Sequence, residues 1–495
     1  MQSPAQQFIG EIVMAEARRD PRAVAATFDD LLVSFGALDE AANRAAGALV
    51  RLGVGHGDRV VWWAAQSLES LTGMVACARV GAVFAPLAPH VAGVAAAEVV
   101  GYLDPRLIVS DAATDEVAVA LGASAASLGA RRFATIESFT SLAAMRSSAP
   151  VRGVGPLEPG DPHILYLTSG STGRPKGVLV SHRASFLRSQ RGASSYGGRV
   201  RGVLCSFPLY HYGGWHYVLE AWLNRTAVHL VSRADGPHLS AAVETHQPQA
   251  VYCIPAVWER LLAEPVDLGC VRYADTGTSA VASGLLDRLA ARMPQAETTI
   301  LYGATEAGRM TALRHDDLRR HPGSVGCAVG SGEIRVDACG RVAFRGPTVM
   351  NGYFRMPQAT EDVFDAGWYL TGDLGRLDGD GFLTITGRER EVIRTGGETV
   401  SAVEVEAALG PLAGVADFAV VGLPDDRWGE VVCLVVVLDD GAPAPSLDAI
   451  ATRLAGLAPY QRPRRVLVWS GRLPRTAATG QVMRGRVRDE LAARV

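Results

Sequence analysis

Between Ile164 and Val180 an apolar run, Ile-Leu-Tyr-Leu, gives way to Thr-Ser-Gly-Ser-Thr-Gly-Arg-Pro, then Lys176, then a second apolar run. Few folds accommodate such a segment. The flanking runs read as buried strands. Glycines let backbone N–H groups approach an anion, hydroxyls add donors, and the lysine supplies charge. The pattern predicts strand, phosphate-cradling loop and strand. It is not the G-x-x-x-x-G-K-[ST] nucleotide loop, because Gly177 follows Lys176 and a strand comes next. Of 48 Lys and Arg residues, Lys176 is the only lysine. The abundance of Ala and Gly points to a GC-rich genome, which replaces Lys by Arg wherever either serves. A surviving lysine is then a candidate for a role Arg cannot fill.

At about 100–200 residues per domain, the 495-residue chain predicts two to four domains or subdomains. Helical and strand-like patterns alternate to about residue 330, as in parallel α/β layers. Leu38 to Leu52 has the spacing of a helix, and Arg59-Val-Val-Trp-Trp-Ala-Ala reads as a buried strand. Residues 121–160, rich in Ala, Ser and Gly, read as a peripheral loop region. From about 330 to 385 short strands with Gly-Asp turns predict β-rich structure. Residues 391–495 predict a small α+β unit, with a helix at Ala402–Leu409, strands at Phe418–Gly422 and Val431–Leu438, and a Gly/Pro break at 440–446.

A net charge of −3 argues against a nucleic-acid or anionic-membrane partner. Seven cysteines, an odd number without a C-x-x-C pair, argue against a disulfide framework or a zinc site. Residues 1–7 lack the basic start and apolar run of a signal peptide, and Met74 to Ala88 is too short and too interrupted to span a bilayer. A cytoplasmic location is expected.

In Ile164–Val180 the sequence resembles the superfamily of acyl-CoA ligases, peptide-synthetase adenylation domains and luciferases. Further ordered motifs repeat the likeness over nearly the whole chain: Pro208-Leu-Tyr-His211, Leu301-Tyr-Gly-Ala-Thr-Glu306, Tyr369-Leu-Thr-Gly-Asp373, Gly387-Arg388, Gly396-Gly-Glu398 and Val403-Glu-Val-Glu406. The resemblance implies a fold of α/β plus α+β class. A large multi-subdomain N-terminal adenylate-forming domain, 1–389, would precede a small mobile C-terminal domain, 391–495, with a hinge at Arg390. It implies two half-reactions. A carboxylate attacks MgATP to give acyl-AMP and pyrophosphate; a thiol then displaces AMP.

The same resemblance assigns residues. AMP and its phosphate would meet Thr168, Ser169, Gly170, Ser171, Thr172, Gly173, Lys176, Gly277, Thr278, Ser279, Tyr302, Gly303, Ala304, Thr305, Asp373 and Arg388. Glu306, with Thr168, would bind magnesium if ATP is used. His211 would gate an acyl pocket containing Tyr210, Gly213, Gly214, Trp215, Gly303 and Ala307, or else be a packed core histidine. Glycines 213 and 214 are expected to leave room, and no basic residue in this set would pair a second carboxylate, so a bulky apolar or cyclic monocarboxylic acid is expected. Gly396, Gly397 and Glu398 would border CoA. Trp428 resembles a CoA-contacting tryptophan of some relatives, or is a packed aromatic.

One departure bears on mechanism. The family carries Pro-x-x-x-x-Gly-Lys near its C-terminus, and that lysine bridges carboxylate and phosphate during adenylation. Here Pro474-Arg-Thr-Ala-Ala-Thr-Gly-Gln481 holds one extra residue and places Gln481 at the lysine position. Codon bias would have produced an Arg, not a neutral amide. Removing one preorganised transition-state donor costs about 10²–10³ in rate. The expectation is an enzyme that makes acyl-CoA from acyl-AMP supplied by a separate adenylating enzyme, in secondary metabolism such as antibiotic biosynthesis. A complete two-step ligase using Arg475, Arg484 or Arg486, transfer to a carrier-protein thiol, and a binding protein without turnover are the alternatives.

Overall fold

The computed structural model describes residues 8–91, 93–111, 114, 132–135, 157–168, 175–190, 200–476 and 481–492. Most of the predicted loop region at 121–160 lies outside these residues. Packing divides the chain into two units. The first holds Met1–Asp317, Ala328–Glu333 and Arg345–Tyr369; the second holds Leu318–Cys327, Ile334–Phe344 and Leu370–Val495.

The first unit is an α/β structure with two sheets. One runs Gly352–Tyr353, Lys176–Ser181, Pro162–Thr168, Val83–Leu87, Arg59–Trp63, Leu107–Ser110, Arg132–Thr135. Its middle strands pair in parallel, whereas Pro162–Thr168 and Lys176–Ser181 form the antiparallel pair predicted on either side of the loop. The Arg59–Trp63 strand is buried at every position after Arg59, which explains its unbroken apolar run. The other sheet passes from Gly308–Leu313 through Glu297–Ala304, Tyr273–Gly277, Ala250–Tyr252, Val203–Cys205, Val228–Leu230 and Val24–Phe28 to Leu31–Ser34.

The predicted helix at Leu38 is observed at Phe35–Arg51. It starts earlier because the Ser34 hydroxyl accepts from the Ala37 amide at 3.2 Å and caps it. Its buried Leu38, Ala42, Ala45 and Leu49 join Ile9, Val13, Leu71, Val75, Phe84 and Trp222 in the main core.

The second unit is built around one long hairpin. Val415–Asp425 pairs antiparallel with Gly429–Leu438, and Arg465–Val468 adds in parallel. Both strands exceed the predicted lengths. Alternate residues serve two cores: Val420, Val432, Leu434 and Val436 pack with Ile393, Val405 and Leu409, while Val421, Leu423, Cys433 and Val435 pack with Trp469, Leu473 and Val487. The helix Ala402–Leu409 has its predicted bounds, capped by Ser401, whose hydroxyl accepts from the Glu404 amide at 3.2 Å. The β-rich pattern before it appears as Arg341–Arg345, Trp368–Leu377 and Leu383–Arg388. Arg390 lies exposed in the link before Val392–Thr395. No helix among the described residues is long and apolar enough to cross a membrane.

Candidate active site

The first unit gathers the candidates for the phosphate and adenine. Lys176 opens its strand opposite Thr168, whose hydroxyl donates to the Lys176 carbonyl at 3.4 Å. Ser169, Gly170, Ser171, Thr172 and Gly173 lie outside the described residues. The Lys176 ammonium sits 4.6 Å from the centre of the Tyr353 ring. The Tyr353 hydroxyl donates to Glu306 Oε1 at 2.8 Å. Tyr353 therefore touches both charged candidates, although sequence reasoning did not single it out.

A second unforeseen residue holds the same corner. Arg188 is buried on the helix His182–Ser189 and spends its guanidinium on backbone. It donates to the carbonyls of Thr305 at 3.1 Å, Glu306 at 3.1 Å and Thr348 at 2.8 Å. It thereby fixes the turn joining Glu297–Ala304 to Gly308–Leu313. That turn carries Ala304, Thr305, Glu306 and the buried Ala307, after a bulge between Tyr302 and Gly303.

Gly277 ends its strand, and Thr278 follows with φ of +70°. A β-branched residue in the left-handed region stores about 1–3 kcal/mol of strain. Its hydroxyl lies 2.9 Å from the Tyr252 hydroxyl. Ser279 follows in the same loop. Strain of this kind persists where surrounding contacts over-determine it, as at ligand-facing loops.

Five acyl candidates, Tyr210, His211, Gly213, Gly214 and Trp215, lie at the start of the helix Tyr212–Leu223, whereas Gly303 lies near the end of the Glu297–Ala304 strand and Ala307 in the turn after it. His211 caps the helix: Nδ1 accepts from the Gly213 amide at 3.2 Å, and the ring stacks on Phe207 at 5.1 Å. Burial pushes the His211 pKa down to about 4, so the ring is neutral near pH 7. Tyr210 and Trp215 line a small cavity with Trp62, Phe84 and Leu209. Glycines 213 and 214 do not leave room for a ligand. A side chain at Gly213 would meet the Phe207 ring at 2.6 Å, and one at Gly214 the Pro208 carbonyl at 2.6 Å, so these glycines serve the helix's close packing. A further basic residue, Arg309, is buried beside this helix. Its guanidinium is 3.0 Å from His216 Nε2 and 3.4 Å from Glu220 Oε2, so its charge is matched by that carboxylate.

In the second unit, Asp373 and Arg388 face each other across the Trp368–Leu377 and Leu383–Arg388 strands, with Arg388 Nε 3.0 Å from Asp373 Oδ1. Gly396 has φ of +60° and donates its amide to the Trp428 carbonyl at 2.8 Å. A Cβ there would lie 2.8 Å from the indole, so only glycine fits. Gly397 and Glu398 are exposed beside it. The structure thus packs Gly396 directly against Trp428. Arg427 and Arg464 lie 4.9 and 4.6 Å from the indole ring.

Gln481 is half-buried. Its backbone N–H donates to the Thr476 hydroxyl at 3.1 Å and its backbone carbonyl accepts from the Thr476 backbone N–H at 2.8 Å. The three nearby arginines each meet a carboxylate of the same unit: Arg475 with Asp417 at 2.7 Å, Arg484 with Glu406 at 2.5 Å and Glu391 at 2.8 Å, and Arg486 with Glu490 at 2.9 Å.

Residues 13–354 match the model of the AMP-binding enzyme, and 404–479 that of the AMP-binding enzyme C-terminal domain. The chain belongs to the AMP-binding enzyme family. It is 31% identical to the indoleacetate–CoA ligase of Aromatoleum aromaticum, covering 98% of each chain. It is also 31% identical to the 3-[(3aS,4S,7aS)-7a-methyl-1,5-dioxo-octahydro-1H-inden-4-yl]propanoyl:CoA ligase of Mycobacterium tuberculosis, over 95% of this chain and 96% of that one. The structure of ATP-bound MatB from Rhodopseudomonas palustris superposes with a TM-score of 0.86 at 26% identity, covering 98% of this chain and 99% of that one. The fold is that of the adenylate-forming superfamily, and these homologues support acyl-CoA ligase activity.

Proposed function

We propose that this acyl-CoA ligase makes acyl-CoA from a preformed acyl-adenylate and CoA, and that its own adenylation step is lost or very weak. The observation that carries the proposal is Gln481 at the lysine position, beside three arginines already committed to carboxylates. Bringing a carboxylate against a polyphosphate sets anion against anion and needs preorganised cations. A neutral amide removes one of them. Arg484 is the most firmly held of the three, between Glu406 and Glu391.

The thioester step makes fewer demands, because the mixed anhydride is already activated. The CoA thiol, with a free pKa of about 8.5, loses its proton to solvent and attacks the acyl carbon. The C–S bond forms as the C–O bond to AMP breaks, and AMP leaves with the electron pair. Lys176 and the phosphate loop would balance the charge on the departing phosphate. Asp373 and Arg388 would hold the ribose, and Tyr302 with Gly277, Thr278 and Ser279 the base. Gly396, Gly397, Glu398 and Trp428 would pass the pantetheine arm. The hydrogen-bonded Glu306 carboxylate fits a magnesium ion, which binds through one or two carboxylates plus substrate phosphates. Magnesium would supply charge to the polyphosphate if ATP is used.

Arg309, whose charge is paired with Glu220, and the ring-bearing acids named for two relatives support a bulky, cyclic monocarboxylic acid. A separate enzyme would supply its adenylate. Two assays test the reading: free acid with MgATP and CoA, and synthetic acyl-AMP with CoA. Acyl-CoA from the adenylate without pyrophosphate from the acid is expected. Pyrophosphate at ordinary ligase rates overturns the reading in favour of a complete two-step ligase. At the proposed hinge, Arg390→Pro is expected to stop thioester formation while acyl-AMP still binds; unchanged turnover refutes that assignment.

A further inference from the structure

The segment 350–354 is tied to both halves of the phosphate corner. The Met350 amide donates to the Glu306 carbonyl at 2.7 Å, while the Asn351 and Phe354 amides donate to the carbonyls of Leu179 at 2.9 Å and Gly177 at 2.7 Å. Gly352–Tyr353 is the edge strand paired to the strand that Lys176 opens. The Tyr353 amide donates to the Thr360 hydroxyl at 2.9 Å, and the side chain is nearly fully buried. From this fixed backbone the ring passes between two opposite charges, with Lys176 over its face and Glu306 on its hydroxyl. Among the described residues Lys176 and Glu306 make no direct ion pair.

We propose that Tyr353 is a positioning residue: its ring and hydroxyl hold Lys176 and Glu306 apart, keeping the ammonium for phosphate and the carboxylate for a divalent cation. A flexible lysine facing a carboxylate across open space closes into an ion pair that neutralises both. The aromatic face attracts the ammonium without consuming its charge, and the phenol occupies one carboxylate oxygen. The proposal rests on the nucleotide-site reading above.

The two functions of the side chain separate by substitution. Tyr353→Phe keeps the ring and removes the hydroxyl; Tyr353→Leu removes both. AMP binding without metal, by calorimetry, reads the lysine. Mn²⁺ binding in the presence of ATP, by electron paramagnetic resonance, reads the carboxylate. Tyr353→Phe is expected to keep its AMP affinity and to lose about tenfold in Mn²⁺ affinity, the size of a lost hydrogen bond to a charged group. Tyr353→Leu is expected to lose about tenfold or more on both probes, since the collapsed pair withdraws both charges. Equal losses in the two variants on both probes overturn the proposal, as does Mn²⁺ affinity unchanged by Tyr353→Phe. Because Phe matches Tyr in shape, that variant decides the question even if the Leu variant does not fold. Wild-type protein that binds no AMP overturns the nucleotide-site reading itself.

Discussion

The corner around Lys176 and the segment around Gln481 hold the chain's two candidate cation positions, and they are built differently. Lys176 lies where strand pairing and an aromatic ring converge, with its charge left for a ligand. Around Gln481 the position itself is neutral, and the neighbouring charges are spent on intramolecular ion pairs. A site retained for turnover keeps its charge preorganised and unspent. A site released from that role can let its cations stabilise the fold instead. The contrast is the one the proposed loss of adenylation predicts.

Acid should separate the two units most strongly. The first unit buries His182, His211 and His229, with pKa values pushed down by desolvation to about 4, about 4 and about 3. Between those values and the ordinary 6.5, the unfolded chain binds protons that the folded chain refuses, so stability falls as pH falls. The loss is about 2 kcal/mol per histidine at pH 5. The one histidine in the second unit's range is His321, whose imidazole faces Asp378 at 3.0 Å. Calorimetry at pH 7 and pH 5 should show the first unit melting earlier in acid with the second little changed; parallel shifts would erase the distinction.

Arg484→Met should come next. It strands the Glu406 carboxylate, which burial already pushes above its usual pKa, and should cost about 3 kcal/mol in denaturant unfolding. Gln481→Lys is expected to raise pyrophosphate release from free acid and MgATP by about 10²–10³, while acyl-CoA formation from acyl-AMP stays constant. No gain would mean that the segment has lost more than one side chain. Arg475→Gln should be the mildest. Its partly exposed pair with Asp417 is worth under about 1 kcal/mol, so melting should move little and adenylation not at all. A loss of adenylation would show that Arg475 had taken over the missing role.

The sequence pattern singled out several of these residues. Lys176 stands out by scarcity, Glu306 and Asp373 by motif, and Gln481 by breaking one. The helix at Ala402–Leu409 is legible in the pattern, and the structure adds its Ser401 cap. What stayed hidden was cross-chain contact. Tyr353 is 47 residues from Glu306, and nothing local in Asn351-Gly-Tyr-Phe reports that partner. Arg188 is one of many arginines, and only its burial against three carbonyls distinguishes it. Glycines 213 and 214 misled because space for a ligand and space for Phe207 or Pro208 look alike in one dimension. The left-handed Thr278 left no sign, since its conformation is imposed by its surroundings rather than favoured by its side chain.

One ammonium over one aromatic ring also gives the molecule a built-in reporter. Apart from an α-amino terminus, the chain offers amine-seeking reagents a single address. The Tyr353 ring covers one side of that amine, and a bound phosphate would cover more. The mass added by a brief acylating pulse would then read site occupancy directly, with no engineered tag and no knowledge of the acyl group.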